Sequence, residues 1–139
     1  MSNDTEDLSV TQAVAFAVMY ALDTEAGEAW KIWAHIWLKG DDRSAASAQV
    51  ASATGITASA KHAATAARLL AEANQIQTEA AMLTAEGRNA LWQFDQADQR
   101  NSQCLNEVAE SIRLLSSDGT LDTHSPRSVE LRTKAAREF

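Results

Sequence analysis

From about Leu8 to Leu22 the apolar residues Val10, Val14, Ala17, Val18 and Ala21 recur at helical spacing, which predicts a first helix. Asp23 and Thr24 are placed to cap a second helix running to about Lys39. On it Trp30, Trp33, Ile36 and Trp37 make one broad apolar stripe, the pattern of core or interface packing. Gly40-Asp41-Asp42 ends that helix. A third, short helix reads Ser44 to Thr54, closed by Gly55. Thr57 caps a fourth, extending to about Glu72, with Ala60, Ala63, Ala67 and Leu70 inward. Residues 74–83 interrupt the pattern and read as a small two-stranded ribbon, although strand formers are few. Thr84 then starts a fifth helix reaching Leu115.

Along that fifth helix Leu91, Phe94, Asp98, Asn101, Leu105, Val108, Ile112 and Leu115 alternate three and four apart, a heptad seam. Asp98 and Asn101 would be costly in a monomer core. Across a two-fold axis they fix register, so the seam is expected to form a homodimer. Residues 1–7 are expected to be disordered. Residues 118–139, with the single proline Pro126, are expected to form a mobile tail with a short helix over Ser128–Arg137.

Composition agrees with a mostly α fold. Alanine is about a fifth of the 139 residues, and five glycines and one proline are too few for an all-β sandwich. The length fits one domain, here residues 8–117. The lone Cys104 excludes an intramolecular disulfide. No apolar run reaches the roughly 18 residues of a membrane span, and the acidic start lacks the basic-then-apolar order of a secretory signal. A cytoplasmic protein is expected.

The net charge of -7 argues against a generally basic nucleic-acid coat. The charge is uneven, however. Only residues 31–70 are net positive, carrying Lys31, Lys39, Arg43, Lys61 and Arg68 against Asp41 and Asp42. That stretch includes Gln49–Thr57, which has the grammar of a helix-turn-helix. Ala51 is small at the crossing, Gly55 tolerates positive φ, Ile56 plugs the core and Thr57 starts the next helix. Further on, Leu83-Thr84-Ala85-Glu86-Gly87-Arg88 follows the expected ribbon.

These residues resemble the winged helix-turn-helix of bacterial regulators, most closely the MarR type, in which a Leu-Thr-x-x-Gly-Arg run leads into the dimerisation helix. The resemblance spans about Glu28 to Trp92. It implies a winged helix-turn-helix fold with long N- and C-terminal dimerisation helices and a minimal wing. It also implies a homodimeric transcription regulator whose recognition helix, about 57–72, enters the major groove of double-stranded DNA. At about 100° per residue, Lys61, Thr65 and Arg68 share the outward face, flanked by Thr57, Ser59 and His62, with side chains able to contact phosphates and base edges. The wing departs from the family pattern, since no Lys or Arg lies between Arg68 and Arg88.

A second reading comes from the same residues: a small acidic helical inhibitor or adaptor, of phage or plasmid accessory type, that binds a protein and no DNA. It predicts acids flanking the 57–72 face and apolar patches open elsewhere. An enzyme is not expected, because no Gly-rich phosphate loop or nucleophile elbow is present. His35, His62, His124 and Cys104 are not spaced as metal ligands, and neither metal nor cofactor is implied.

Overall fold

The computed structural model describes residues 8–24, 27–54, 56–87, 90–118 and 126–139. Among them are six helices and no strand: α1 (Val10–Thr24), α2 (Glu28–Lys39), α3 (Ala45–Ser52), α4 (Ala58–Ala85), α5 (Leu91–Asp118) and α6 (Pro126–Ala136). No helix among these residues is long and apolar enough to cross a membrane.

α1 is the central pillar. Val14, Ala15, Ala17, Val18 and Ala21 are fully buried, and Phe16 and Tyr20 almost so. A helix apolar on nearly all sides must be surrounded, and α1 contacts α2, α4, α5 and α6. Its start is a reciprocal capping box. The Ser9 amide donates to Gln12 Oε1 at 2.9 Å, and the Gln12 amide donates to Ser9 Oγ at 3.2 Å. Gln12 Nε2 also donates to the Arg137 carbonyl at 3.0 Å, tying the C-terminal end to α1.

α2 buries Trp30, Trp33, Ala34 and Trp37 in the core. Gly40 ends it in the left-handed conformation, φ 86°, its amide donating back to the last turn. Arg43 reinforces that end. Its Nε donates to the Trp37 carbonyl at 2.7 Å, and its guanidinium lies 4.6 Å from the Trp37 ring and 5.2 Å from Phe139. Ser44 caps α3 by accepting from the Ser47 amide.

Three expectations need correction. Asp23 and Thr24 belong to α1, and the N-cap of α2 is Gly27. Residues 74–83 form no ribbon, because α4 continues without a break to Ala85. Nothing in Asn74–Leu83 breaks a helix, and Ala73 and Ala80 have a packing partner in α5 that strand geometry would forfeit. Thr84 caps nothing; it lies inside α4 and its Oγ1 donates to the Ala80 carbonyl at 2.9 Å. The short helix expected over Ser128–Arg137 is present as α6, Pro126–Ala136. α6 covers α1 with Thr133 and Ala136 buried, and Arg132 pairs with Asp23 while stacking 4.6 Å from the Tyr20 ring. Gly55, Arg88 and residues 1–7 lie outside the described residues.

α4 and α5 form a long antiparallel hairpin, each helix about 42 Å long at 1.5 Å per residue. Two buried hydrogen bonds set its register: Ser111 Oγ donates to the Ser59 carbonyl at 2.9 Å, and Cys104 Sγ donates to the Ala66 carbonyl at 3.2 Å. Stepping by heptads places Ala97 at the level of Ala73 and Ala90 at the level of Ala80. The seam is therefore made of small buried residues, Ser59, Ala66, Ala73 and Ala80 against Ser111, Cys104, Ala97 and Ala90. Small side chains let the two backbones approach closely. Body residues pack against this hairpin as far as Leu70 and from Cys104 onward. Beyond that point the hairpin continues as a two-helix arm ending at Gly87 and Ala90.

Candidate functional site

The face expected to read DNA lies beside α5. Thr57 is the N-cap residue of α4 but makes no side-chain cap, and its Oγ1 is 3.1 Å from Ser59 Oγ. Ser59 is buried in the hairpin seam and not on the outer face, because its carbonyl accepts from Ser111 of α5. Lys61 is exposed. His62 is half-buried, with Nδ1 against Glu107 Oε2 of α5. Thr65 and Arg68 are half-buried and share a polar groove of about 310 Å³ with Arg100, Gln103, Asn106 and Glu107.

Two carboxylates stand inside this face. Arg68 Nη1 donates to Glu72 Oε1 at 2.8 Å. Arg100 Nε lies 3.3 Å from Glu72 Oε2, within ion-pair distance but outside hydrogen-bond geometry. Each such part-exposed pair is worth under about 1 kcal/mol, so none immobilises its cation. Their effect is on the field, where Glu72 offsets much of the charge of Arg68 and Arg100 and Glu107 adds a second carboxylate beside them. Shape matters as well. A helix flanked by an antiparallel neighbour presents a surface about 20 Å across, whereas a B-DNA major groove is about 12 Å wide.

The seam expected to dimerise divides in two. Val108 and Leu115 are buried in the chain's own core and Ile112 packs against it. They are spent within one chain. Asn101 is half-buried, Asp98 is exposed, and Leu105 is largely exposed beside an apolar groove of about 320 Å³ that it lines with Leu8, Phe16 and Ile112. Leu91 and Phe94 lie on the arm.

The arm end carries four exposed apolar side chains. Leu91 is 72% exposed, Trp92 70%, Met82 62% and Phe94 40%. They come from the last turn of α4 and the first turn of α5, on either side of the hairpin turn. Glu79, Glu86, Asp95 and Asp98 are also exposed along the arm. From Glu72 to Gln99 the sequence has five acids and a single base, Arg88. Trp92 and Met82 escaped the periodicity argument because both lie off the heptad seam. The signal available was a tryptophan in an otherwise polar, acid-rich stretch.

A second apolar opening lies between α2 and α3, a groove of about 490 Å³ lined by Ile32, Trp33, Ile36, Val50 and Ala51. Among the described residues that line it, Asp42 is the charged one. The carboxyl of Asp42 is held below its ordinary value by hydrogen bonds from the Ser44 side chain and backbone.

Cys104 is buried and its pKa is pushed up to about 12, first by burial and then by the neighbouring Glu107. It is a packing residue, not a reactive thiol. No cluster of three metal-ligating side chains occurs among the described residues. No protein-family model, curated protein or solved structure matches this chain.

Proposed function

We propose that this chain is an acidic helical protein-binding module, an adaptor or inhibitor, and not a reader of duplex DNA. One contrast carries the reading. The α4 face that would enter a major groove stands beside α5 with Glu72 and Glu107 in it, while Trp92, Leu91 and Met82 stand open at the arm end. Exposing such side chains costs solubility and gains nothing in the monomer, so their place is at an interface.

Fluorescence anisotropy with mixed-sequence and operator-selected duplexes tests this directly. Phosphate-driven binding gains steeply as salt falls from about 200 to 50 mM. The expected result is no association at the low-salt end. Salt-sensitive binding that disappears in a Lys61→Ala/Arg68→Ala variant would restore the gene-control reading.

A further inference from the structure

We infer that the α2–α3 face is the contact between two copies of this chain, with α2 running antiparallel to α2 of the second copy. This goes beyond the protein-binding reading and does not rest on it. Two large exposed apolar side chains share one groove there. Ile32 is 55% exposed and Val50 66%, and both line the opening of about 490 Å³ that also holds Trp33, Ile36 and Ala51. Side chains of two helices are thus placed on a single surface. Neither Ile32 nor Val50 is needed to seat its own helix. Trp30, Trp33 and Trp37 already bury α2, and Ala48 and Ala51 bury α3. Apolar side chains gathered in one open groove mark a contact surface.

The charge selects the occupant. At about 100° per residue, Glu28, Ile32, His35 and Lys39 fall in a strip roughly 60° wide along α2, with Ile36 beside it. Glu28 opens the helix and Lys39 closes it, and both are exposed. An edge with an acid at one end, a base at the other and isoleucines between is complementary to itself when reversed. Turned about a two-fold axis between Ile32 and Ile36, each copy's Ile32 faces the other's Ile36, and each Lys39 lies beside the other's Glu28. Val50 closes the flank from α3. The one charged residue of the groove, Asp42, is engaged within the chain, where the Ser44 amide donates to its Oδ1 at 3.1 Å. Residues 28–57 carry Glu28, Asp41 and Asp42 against Lys31, Lys39 and Arg43, so this stretch is neutral in a chain of net charge -7. A second copy meets no like-charge opposition here, as it would along the acid-rich arm. The groove between α1 and α5 beside Leu105 is lined by apolar residues alone, and nothing there selects an occupant.

Sedimentation velocity of the full-length protein, from about 1 to about 100 μM at about 50 mM salt, reads the association directly. The expected result is a reversible monomer–dimer equilibrium. Three variants separate the contributions, each checked for unchanged helicity. Ile32→Ser/Val50→Ser removes the apolar contacts. Glu28→Lys and Lys39→Glu each turn two attractive pairs into two repulsive ones, because every substitution acts twice across a two-fold axis. Each variant alone is expected to weaken dimerisation about tenfold or more. Mixed in equal amounts, the Glu28→Lys and Lys39→Glu chains are expected to pair with one another about as well as the parent pairs with itself, since both junctions are again opposite in charge. A role confined to the ends of the α2 dipole within one chain produces no such rescue.

A monomer at every concentration would overturn the inference and leave the groove to a different protein. A dimer indifferent to Ile32→Ser/Val50→Ser would overturn it as well, because the contact would then lie elsewhere. Loss of the dimer in Trp92→Ser/Met82→Ser, which leaves the α2–α3 face unchanged, would in that case assign it to the arm end. Mixed Glu28→Lys and Lys39→Glu chains that stay apart would refute the antiparallel pairing of α2. Failure of the protein-binding reading is separately visible as the salt-sensitive DNA binding described above.

Discussion

Substituting Ala73 by leucine separates two accounts of the α4–α5 hairpin. Ala73 is fully buried and lies at the level of Ala97 in the small-residue seam. A pattern-only account treats the seam as generic coiled-coil packing, in which a larger apolar side chain is welcome. Leucine and alanine both have high helix propensity, so the backbone contributes a few tenths of a kcal/mol at most. With room available, burying the added isopropyl group would stabilise the fold by about 2 kcal/mol. Between two backbones held close by alanines there is no room, and overpacking costs about 1–3 kcal/mol. The two accounts therefore differ by roughly 3–5 kcal/mol and in sign. Urea unfolding followed by far-UV circular dichroism is the assay, with exposed Ala81→Leu on the same helix as the propensity control. Ala73→Leu is expected to lower the midpoint, with a melting temperature reduced by about 3 °C per kcal/mol for a chain of this size. A variant as stable as the parent, or more stable, would refute close approach of the two helices.

Cys104 should resist thiol reagents in the folded protein at pH 8 and react at the rate of unfolding, which timed labelling with and without denaturant will show. The same thiol makes stability fall with alkali. Its folded pKa is raised from 9.0 to about 12, so above pH 9 only the unfolded chain releases the proton, and stability declines by up to about 1.4 kcal/mol per pH unit until about pH 12. Cys104→Ala should flatten that decline. Arg132→Ala removes the ion pair with Asp23 and the stacking on Tyr20; it is expected to cost about 1–3 kcal/mol and to open α6 to limited proteolysis before the rest of the chain. Arg43→Ala should cost about 1–2 kcal/mol in thermal unfolding, since it uncaps α2 at Trp37 and frees Phe139 together, whereas Arg43→Lys should recover only part of that loss.

Much of the helical layout was open to local reasoning. The Gly40 stop, the Ser44 start of α3 and the Thr57 boundary of α4 depend on backbone groups within a few residues of one another, and those positions agree with the structure. The burial of Trp30, Trp33 and Trp37 follows from their spacing on one helix face. The ribbon expected at 74–83 rests on a local interruption of the apolar pattern, which a helix packed along α5 tolerates. The heptad positions Leu91, Asp98, Leu105 and Ile112 each lie one position from Ala90, Ala97, Cys104 and Ser111, the small buried residues of the hairpin seam. Size marks hydrophobicity, but small residues mark where two helices come closest.

What the chain determined unaided was its helical character, its acidity and the apolar faces of its first, second and fourth helices, because propensity, capping and periodicity act over neighbouring residues. The tertiary structure decided the rest. It made α1 the pillar, directed α4 through Asn74–Leu83 without a break, placed Glu72 and Glu107 among the cations of the expected DNA face, and left Trp92 open at the arm end. Each of those outcomes depends on which residues meet across tens of positions in the chain, where the energies that decide are packing and charge between helices, which no local pattern encodes.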